Sequence, residues 1–501
     1  MTAANWMAFK SGTDIRGTAV GDESREDYLS ERAVSAITAA YAAWLCDNLN
    51  LTMENMLVSV GHDSRLSAGR LKNTVIGTLR SLGVSVLDCG MSSTPAMFMT
   101  TVSLKCSGAV QITASHHPAD RNGLKFFTRV GGLNAADITD ILTRAQNIAV
   151  PEPGDPEDAE KCDFMNTYAS SLREMICKGV NAVDYMRPLR GLKIAVDAGN
   201  GVGGFYASKV LEPLGADVSA SRFLEPDGNF PNHSPNPENA QAMASIRDAV
   251  IESGADFGVI FDTDVDRAAC VGKGGVVFDR NRLVALASAI ALENNEGATI
   301  VTDSITSDGL TEFIRSLSGT HLRYRRGYKN VIDKQIELNE SGVNCPLAIE
   351  TSGHAAFREN YYLDDGAYLV TKIIIKMAEL AKANKPLESL ITGLREPAEE
   401  AESRFAITCG DFRAYGEKII ADLRAFAEGV DGWETAPENF EGVRISTDEQ
   451  KGGGWFLLRV SVHDPVLVFN CESDIPGGTD IMLRDIGVFL SKYPCIDKNK
   501  S

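Results

Sequence analysis

A serine, two histidines and a lysine lie close together after an apolar run in the segment Gln111–Lys125. Asn122-Gly123 is a dipeptide typical of turns, so we expect the chain leaving Ser115 to fold back and bring the Lys125 ammonium near the Ser115 hydroxyl. With the His116 imidazole in the same pocket, these groups would form a reaction centre. These residues alone also allow a second interpretation, a polar surface loop with a basic cluster.

Carboxylates occupy every second position of Asp262-Thr-Asp-Val-Asp-Arg267, directly after the apolar run Phe257–Phe261. A tight loop can turn such carboxylates onto one hard cation, and magnesium is the expected ion. Arg267 and Lys273 stand where an EF-hand needs glycine and glutamate, which excludes a calcium site of that type. Two alternatives stay open: an acidic loop that caps a helix, and the phosphatase mechanism of haloacid-dehalogenase-like enzymes, with Asp262 as the nucleophile.

A carboxylate, a hydroxyl and an imidazole meet in Glu350-Thr-Ser-Gly-His354, after the apolar run Pro346–Ile349. Such groups could bind the vicinal hydroxyls of a sugar, and His354 could transfer a proton. Upstream, Arg325-Arg-Gly-Tyr-Lys329 adds three cations. Taken singly, these groups are equally explained as structural polar residues and a solvated basic patch.

Two further segments present arginine in a loop. Arg459-Val-Ser-Val-His-Asp-Pro465 offers a guanidinium and a hydroxyl before a turn, a set that suits a phosphate dianion. Near the amino terminus, Arg16 lies in the glycine-flanked stretch Lys10–Gly17. An isolated arginine of this kind is usually a surface residue.

Short apolar runs alternate with longer amphipathic stretches along the chain: Met56–Val60, Ala68–Leu82, Val84–Leu87 and Ala109–Thr113. This alternation predicts βαβ units and a largely parallel sheet, in which loops at the carboxyl ends of strands carry the chemistry. Ser115 would lie on such a loop. The expected fold class is therefore α/β.

Three similar mixed α/β domains and a C-terminal α+β domain are expected. The proline- and acid-rich stretch Val150–Asp158 suggests the first boundary. Near the carboxyl terminus, Gly452-Gly-Gly454 and a short turn at His463-Asp-Pro465 interrupt the strands Trp455–Val462 and Val466–Asn470, which indicates antiparallel pairing. The predicted domains are 1–152, 153–277, 278–393 and 394–501.

Composition excludes several function classes. The chain has 501 residues, with 68 Asp and Glu against 49 Lys and Arg, and its net charge of -19 opposes binding to nucleic acid or to anionic membranes. A phosphorylated substrate would need a locally basic pocket. The ten scattered cysteines lack a Cys-x-x-Cys pair, so we expect reduced thiols rather than a zinc site. No signal peptide is visible, and we expect a cytoplasmic protein.

Taken in order, these segments resemble the α-D-phosphohexomutase superfamily, which contains phosphoglucomutase, phosphomannomutase and phosphoglucosamine mutase. Thr113–Lys125 resembles its phosphoserine loop, Asp262–Arg267 its metal loop, Glu350–His354 its sugar loop and Arg459–Pro465 its phosphate loop. The first-domain pattern of the family is also matched by Gly12–Gly17, Asp63–Arg65 and Met91–Pro95.

The chain departs from the family pattern at a few positions. His117 replaces the usual asparagine, Thr263 and Val265 replace glycines, and His463 replaces threonine. The serine and the metal carboxylates are retained. With His463 in place of threonine, the phosphate site has a different set of hydrogen-bond donors from that of the family. With His117 in place of asparagine, we expect the charge of the serine loop to depend on pH.

The resemblance implies a phosphohexomutase with four domains around a central active-site cleft. Ser115 would carry a phosphate, and Mg²⁺ would be bound by that phosphate and by Asp262, Asp264 and Asp266. A hexose 1,6-bisphosphate would be intermediate and activator. The implied catalytic residues are Ser115, His116, Lys125, Arg16 and His354. The implied substrate-binding residues are Arg267, Lys329, Glu350, Ser352, His354, Arg459, Ser461 and His463.

The expected partner is a small phosphosugar, with no nucleic acid and no membrane. Thr113 at the head of the serine loop favours glucose and mannose phosphates, with phosphoglucosamine mutase as the alternative. Two further hypotheses remain: the aspartyl phosphatase through Asp262, and a catalytically silent sugar-phosphate binding protein. Retained catalytic motifs argue against the silent protein.

Overall fold

The computed structural model describes residues 5–461 and 464–497. The chain forms two compact units: unit 1 combines Met1–Ile290 with Ser352–Leu390, and unit 2 combines Ala291–Thr351 with Ile391–Ser501. Within the described part of the chain, none of the helices has the length and apolar character that a bilayer crossing requires.

Unit 1 opens with an eight-stranded sheet. Its strands are β1 (Lys10–Ser11), β2 (Asp14–Thr18), β3 (Leu57–His62), β4 (Ser85–Met91), β5 (Gly108–Ile112), β6 (Arg121–Thr128), β7 (Gly131–Gly132) and β8 (Glu160–Lys161). Its helices are α1 (Glu31–Leu49), α2 (Ala68–Ser81), α3 (Thr94–Ser103) and α4 (Ala135–Ala145). The order is β1-β2-β6-β5-β3-β4-β8, with β7 beside β6. The β8 strand pairs in parallel with β4, so the chain returns to the first sheet after the stretch at Val150–Asp158.

The centre of this sheet is parallel and buried. β5 pairs in parallel with β3, and β3 with β4. Every residue of β5 is buried, as expected for a strand that helices cover on both faces. The predicted alternation of strands and helices is thus confirmed in this region, with β3, α2, β4 and β5 at the expected places. The carboxyl ends of β3 and β5 lie side by side, which brings the loops at Asp63 and Ser115 together.

The predicted turn at Asn122-Gly123 is wrong, because both residues lie inside β6. β6 pairs antiparallel with β5, so the chain does fold back after Ser115, but it turns before Arg121. Gly123 is required there for a packing reason. A Cβ at this position would lie 2.2 Å from the carbonyl oxygen of Ile15 and 2.8 Å from that of Thr113.

A second, four-stranded sheet follows in unit 1, with the order β12-β11-β10-β9. Its elements are α5 (Phe164–Val180), β9 (Ile194–Asp197), α6 (Ala240–Ser253), β10 (Phe257–Phe261), β11 (Ala268–Gly272) and β12 (Val276–Phe278). The predicted strand Phe257–Phe261 is confirmed, and all its residues are buried. β9 is its parallel neighbour, whereas β11 is antiparallel to it. The carboxylate segment therefore forms the connection from β10 to β11.

Helix α7 (Arg280–Leu292) leads from unit 1 into unit 2. Unit 2 then contains β13 (Thr299–Thr302), α8 (Asp308–Ser316), β14 (Thr320–Arg323), α9 (Tyr328–Glu340) and β15 (Leu347–Ile349). β13 pairs in parallel with both β14 and β15. The chain next returns to unit 1 with β16 (Ala355–Phe357), β17 (Leu363–Asp364) and α10 (Gly366–Lys382). A third mixed α/β segment is thereby confirmed.

The C-terminal part of unit 2 is an α+β domain, as predicted. Its elements are β18 (Glu399–Ile407), α11 (Phe412–Ala427), β19 (Trp433–Thr435), β20 (Val443–Thr447), β21 (Gly454–Val460), β22 (Val466–Ser473), α12 (Gly478–Leu490) and β23 (Ile496–Asp497). The sheet order is β19-β20-β21-β22-β18-β23, and each of these pairings is antiparallel. Its buried apolar residues form a core of their own, including Phe456, Phe469 and Ile486.

Candidate active site

Ser115 lies in the loop after β5 in an unusual backbone conformation. It is buried, and its φ of 49° falls in the left-handed region that non-glycine residues seldom adopt. The Ser115 backbone N–H donates to Thr113 Oγ1 at 2.9 Å, and Thr113 Oγ1 donates to Asp63 Oδ2 at 2.7 Å. Asp63, from the loop after β3, thus fixes the turn that presents the serine.

The Arg65 side chain holds the serine loop through its backbone carbonyls. Its Nη2 donates to the carbonyl oxygens of Ser115 and His117 at 2.5 and 2.6 Å. Its Nη1 donates to those of Pro118 and Arg121 at 2.6 and 2.9 Å. Because Arg65 is itself buried and paired with Asp63 at 3.2 Å, one guanidinium fixes much of the loop.

The three carboxylates of the second loop converge, as expected. Asp262, Asp264 and Asp266 are fully buried, and one ligand atom of each lies within 4.8 Å of the others. Val265 between them has a φ of 68°, in the left-handed region that favours glycine. The replacement of a family glycine by Val265 therefore leaves the turn intact at the expense of backbone strain.

The structure brings the Ser115 hydroxyl and the carboxylate loop together. Ser115 Oγ donates to Asp262 Oδ2 at 3.0 Å. Arg267 Nη2 donates to the same hydroxyl at 3.3 Å, while Arg267 Nε contacts Asp262 Oδ2 at 3.2 Å. His116 Nδ1 lies 3.3 Å from Ser115 Oγ. A serine hydroxyl, a buried guanidinium and a carboxylate therefore share one site.

Lys125 contacts the carboxylates. Its Nζ donates to Asp266 Oδ2 at 2.5 Å and to Asp264 Oδ2 at 3.2 Å. Thr94 Oγ1 also donates to Asp264 Oδ2, at 2.5 Å. The Lys125 ammonium thus lies against the carboxylate loop, and part of its charge balances the buried acids.

The donor set fits a divalent cation. Asp264 Oδ1 and Asp266 Oδ1 are buried and have no hydrogen-bond partner among the described residues. Burial and the neighbouring Asp266 and Asp264 carboxylates raise the pKa of Asp262 well above its usual value. A hard cation such as Mg²⁺ would satisfy these two Oδ1 atoms and relieve the repulsion among the three carboxylates.

His354 and Arg16 also lie in unit 1. His354 Nε2 is 3.6 Å from Asp266 Oδ1, and its Nδ1 is 2.9 Å from Ser352 Oγ. Arg16 Nη2 donates to Asp14 Oδ2 at 3.0 Å, and Arg16 Nε is buried with no hydrogen-bond partner in the described chain. Burial, followed by the positive charge of Arg267, lowers the pKa of His116.

The predicted sugar-binding residues are divided between the units. Ser352 and His354 belong to unit 1, whereas Glu350 and Lys329 belong to unit 2. Glu350 is buried at the end of β15, and its Oε1 accepts the Gly327 N–H at 2.6 Å. Lys329, in the first turn of α9, pairs with Asp333 one turn later.

The predicted phosphate-binding residues lie at the end of β21 in unit 2. Arg459 is buried, its Nη1 is 3.8 Å from Glu441 Oε1, and its Nε has no hydrogen-bond partner within the described ranges. Ser461 is also buried, and its Oγ accepts the Asp464 N–H at 3.2 Å. His463 lies outside the described residues.

Some residues of the site were given no role by the sequence, although Asp63–Arg65 and Met91–Pro95 match the first-domain pattern of the family. These are Asp63, Arg65, Thr94, Asn236 and Glu238, the last two of which accept hydrogen bonds from Arg267 Nη1 at 3.3 and 3.5 Å. For Asp63 and Arg65 a signal exists, because they follow β3 just as Ser115 follows the adjacent β5. The sequence offers no such signal for Asn236 and Glu238, which lie in an irregular loop.

Three family models match the chain in succession: the phosphoglucomutase/phosphomannomutase alpha/beta/alpha domains I, II and III, over residues 9–149, 166–275 and 279–397. A phosphomannomutase/phosphoglucomutase of Pseudomonas putida is 31% identical over 419 residues, which cover 83% of each chain. An Escherichia coli phosphomannomutase is 29% identical over 475 residues, 92% of this chain and 94% of its own length. The crystal structure of a phosphoglucomutase/phosphomannomutase family protein from Burkholderia thailandensis has a TM-score of 0.79 at 27% identity and covers 97% of both chains.

Proposed function

This chain belongs to the phosphoglucomutase/phosphomannomutase family, and we propose that it interconverts the 1- and 6-phosphates of glucose and mannose through a phosphate carried on Ser115. One observation carries the proposal: the buried Ser115 hydroxyl lies 3.0 Å from Asp262 and 3.3 Å from Arg267. Such a hydroxyl can hold a phosphoryl group beside a cation and a metal-binding carboxylate. The names of the relatives support glucose and mannose over glucosamine.

Phosphoryl transfer in this site would break the bond between phosphorus and Ser115 Oγ and form one to a free hydroxyl of the hexose monophosphate. The attacking hydroxyl must lose its proton to a base, and His354 and Lys125 are our candidates. Arg267 would neutralise charge that develops on the transferring group, since its Nη2 already faces Ser115 Oγ. Transfer of the other phosphate from the bisphosphate back to Ser115 would complete the reaction.

Magnesium is the cation that the carboxylate loop fits best. Asp262, Asp264 and Asp266 would hold it together with an oxygen of the Ser115 phosphate. When bound, it supplies charge neutralisation for phosphoryl transfer. The Oδ1 atoms of Asp264 and Asp266, which have no hydrogen-bond partner within residues 5–461 and 464–497, support this assignment.

The residues that bind the sugar phosphate must do so whether its 1-position or its 6-position faces Ser115. Arg459 and Ser461 would bind the phosphate that does not react, with His463 as a further donor. Arg459 Nε is buried and has no hydrogen-bond partner among the residues that the structure describes, which supports an anion there. Glu350, Ser352 and Lys329 would bind the sugar hydroxyls, which a mutase must do in both orientations of its bisphosphate.

The decisive experiment is the substitution Ser115→Ala, with Ser64→Ala as its matched control. Ser64 Oγ is buried and has no hydrogen-bond partner among the described residues, so its loss should leave activity unchanged. After incubation with glucose 1,6-bisphosphate, intact-protein mass spectrometry should detect a phosphoryl group on the wild type and on Ser64→Ala, and none on Ser115→Ala. Mutase turnover should disappear in the same variant.

Two results would overturn the proposal. Wild-type turnover in Ser115→Ala would exclude the seryl carrier, and a hydroxylamine-sensitive label on Asp262 with net phosphate release would establish the aspartyl phosphatase. Substrate choice is measured separately, as kcat/KM for the 1-phosphates of glucose, mannose, glucosamine and N-acetylglucosamine. We expect the first two to be preferred.

A further inference from the structure

A loop outside the four motifs connects the serine loop to Arg267. We call residues 225–239 the bridging loop. At one end, the Phe230 ring lies 5.3 Å from the guanidinium of Arg65, which holds the carbonyls around Ser115. At the other end, Asn236 and Glu238 accept hydrogen bonds from Arg267 Nη1. The same loop thus contacts both arginines that donate to Ser115, Arg65 to its carbonyl oxygen and Arg267 to its hydroxyl.

The middle of the bridging loop is fixed by His233, which is buried. Its Nε2 lies 3.0 and 3.1 Å from the two carboxylate oxygens of Asp197, and its Nδ1 lies 2.9 Å from the Ser234 carbonyl oxygen. Both ring nitrogens face acceptors, so the imidazolium, which donates from both, satisfies this arrangement. Burial alone would lower the pKa of His233, but the hydrogen bond and charge of Asp197 raise it, in agreement with the geometry.

Asp197 is a firm anchor for this histidine. It is the last residue of β9 and pairs in register with Ile260 of β10, the strand that leads into the metal loop. Its carboxylate also accepts from Ser245 Oγ at 2.7 Å and from the Gly199 N–H at 2.9 Å. The His233–Asp197 pair therefore ties the bridging loop to the sheet that presents the metal carboxylates.

We propose that His233 is a positioning residue for phosphoryl transfer: clamped on Asp197, it holds the bridging loop so that Asn236 and Glu238 orient the Arg267 guanidinium toward Ser115. This inference rests on the proposed phosphoserine function. Asn236 and Glu238 take up Nη1, which leaves Nη2 directed at the Ser115 hydroxyl at 3.3 Å. A donor that is already held in place stabilises the charge that develops in the transition state without having to reorient. The clamp, which is the His233–Asp197 pair with the bridging loop that it holds, therefore acts on the phosphoryl-transfer step.

The clamp should affect turnover more than binding, because none of its residues is assigned to the sugar or to the distal phosphate. In His233→Asn we expect kcat to fall about tenfold, a loss of about 1.4 kcal/mol in transition-state stabilisation, with KM changed less than about twofold. Asn236→Ala, at the partly exposed end of the loop, should likewise lower kcat and leave KM nearly unchanged, without disturbing the buried His233–Asp197 pair. It keeps the test usable if His233→Asn folds poorly.

The matched control is His321→Asn. His321 is a half-buried histidine whose two ring nitrogens are also hydrogen-bonded, to Thr302 Oγ1 at 2.7 Å and to Thr311 Oγ1 at 2.8 Å, but it lies in unit 2. Its substitution should lower the melting temperature and leave kcat in place. An equal loss of kcat in the two histidine variants would reduce His233 to a general structural residue and overturn the proposal.

A double-mutant cycle separates action through Arg267 from a diffuse effect. Arg267→Lys removes the fork that Asn236 and Glu238 hold, so adding His233→Asn to it should lower kcat by less than about a further twofold. Full additivity of the two losses would overturn the proposal. The phosphoryl group on Ser115 is measured by mass in every variant: its absence in the wild type would refute the proposed function, whereas its presence with an unchanged kcat in His233→Asn would refute the clamp alone.

Discussion

Arg65 lies behind Ser115 and donates from its Nη2 to the Ser115 carbonyl oxygen at 2.5 Å. The same guanidinium holds the carbonyls of His117, Pro118 and Arg121, so the conformation of the serine loop depends on a residue from a neighbouring strand end. Four backbone acceptors on one cation are difficult to replace by any other side chain. The left-handed φ of Ser115 is maintained by this contact and by Thr113.

Arg65→Lys should therefore damage catalysis although the charge is retained. A lysine ammonium cannot reach carbonyls on both sides of the fork, and each lost hydrogen bond to a charged group contributes about 1.5–3 kcal/mol. We expect kcat to fall at least about tenfold and the free energy of unfolding to drop by about 2 kcal/mol or more, measured by steady-state kinetics and urea denaturation.

The control for this prediction is Arg70→Lys. Arg70 also donates to two backbone carbonyls, those of Leu29 and Ala19, each at 3.0 Å, but outside the site. The Arg70→Lys variant should have a lower free energy of unfolding and an unchanged kcat. If Arg65→Lys lost no more activity than Arg70→Lys, the serine loop would not depend on Arg65.

Removal of divalent cations should abolish turnover and lower the thermal stability of unit 1. Asp262, Asp264 and Asp266 are fully buried, so a bound cation would relieve their repulsion. Magnesium at about 100 times its dissociation constant should add about 2.7 kcal/mol to the free energy of unfolding. EDTA treatment followed by magnesium titration, read by differential scanning calorimetry, measures this.

Asp264→Asn should weaken the magnesium-induced shift, whereas Asp256→Asn should not. Asp256 pairs with the exposed Lys273 at 2.8 Å and lies away from the carboxylate loop. An identical magnesium response in the wild type and in Asp264→Asn would place the cation elsewhere.

Local pattern predicted much of the site because several of its residues directly follow buried strands. Phe257–Phe261 is apolar throughout and buried, so the acidic residues directly after it are expected together in the loop at the end of this strand. The position of Lys125 was harder to predict, since Asn122-Gly123 lies in a strand although this dipeptide is typical of turns. Pairing of β6 with both β5 and β2 overrode the local turn preference.

The contacts made by irregular loops could not be read from the sequence. Arg65 binds carbonyl oxygens, which every residue carries and which therefore leave no trace in the pattern of side chains. The bridging loop has no periodicity, and its contact with Arg267 depends on how the chain runs between α5 and α6. Such contacts require the tertiary structure.

Arg459→Lys should raise KM for the phosphosugar by about tenfold to a hundredfold, the effect of losing one charge-assisted hydrogen bond of about 1.5–3 kcal/mol. Arg459 is buried, and its Nε, which has no partner in the described part of the chain, is the donor that lysine lacks. Steady-state kinetics with glucose 1-phosphate measures the change. Arg484→Lys, exposed on α12, is the control and should behave as wild type. An unchanged KM in Arg459→Lys would mean that the phosphate is bound by other groups.

Stability should fall as pH rises through the titration of Glu472 in β22. Burial raises the pKa of Glu472 from 4.5 to about 7, although Trp455 Nε1 donates to it at 2.9 Å. Between these two values the folded state binds the proton more tightly than the unfolded state, so the free energy of unfolding decreases with pH, by up to about 3 kcal/mol. Glu472→Gln keeps an acceptor for Trp455 and removes the titration.

The advantage of Glu472→Gln over the wild type in melting temperature should therefore be small at about pH 5 and large at about pH 8, on either side of the raised pKa. Glu434→Gln, exposed on β19, removes the same charge from the same sheet and should give no such trend. The test is the melting temperature of the wild type, Glu472→Gln and Glu434→Gln across this pH range. An equal pH response in all three would mean that Glu472 titrates at its ordinary pKa.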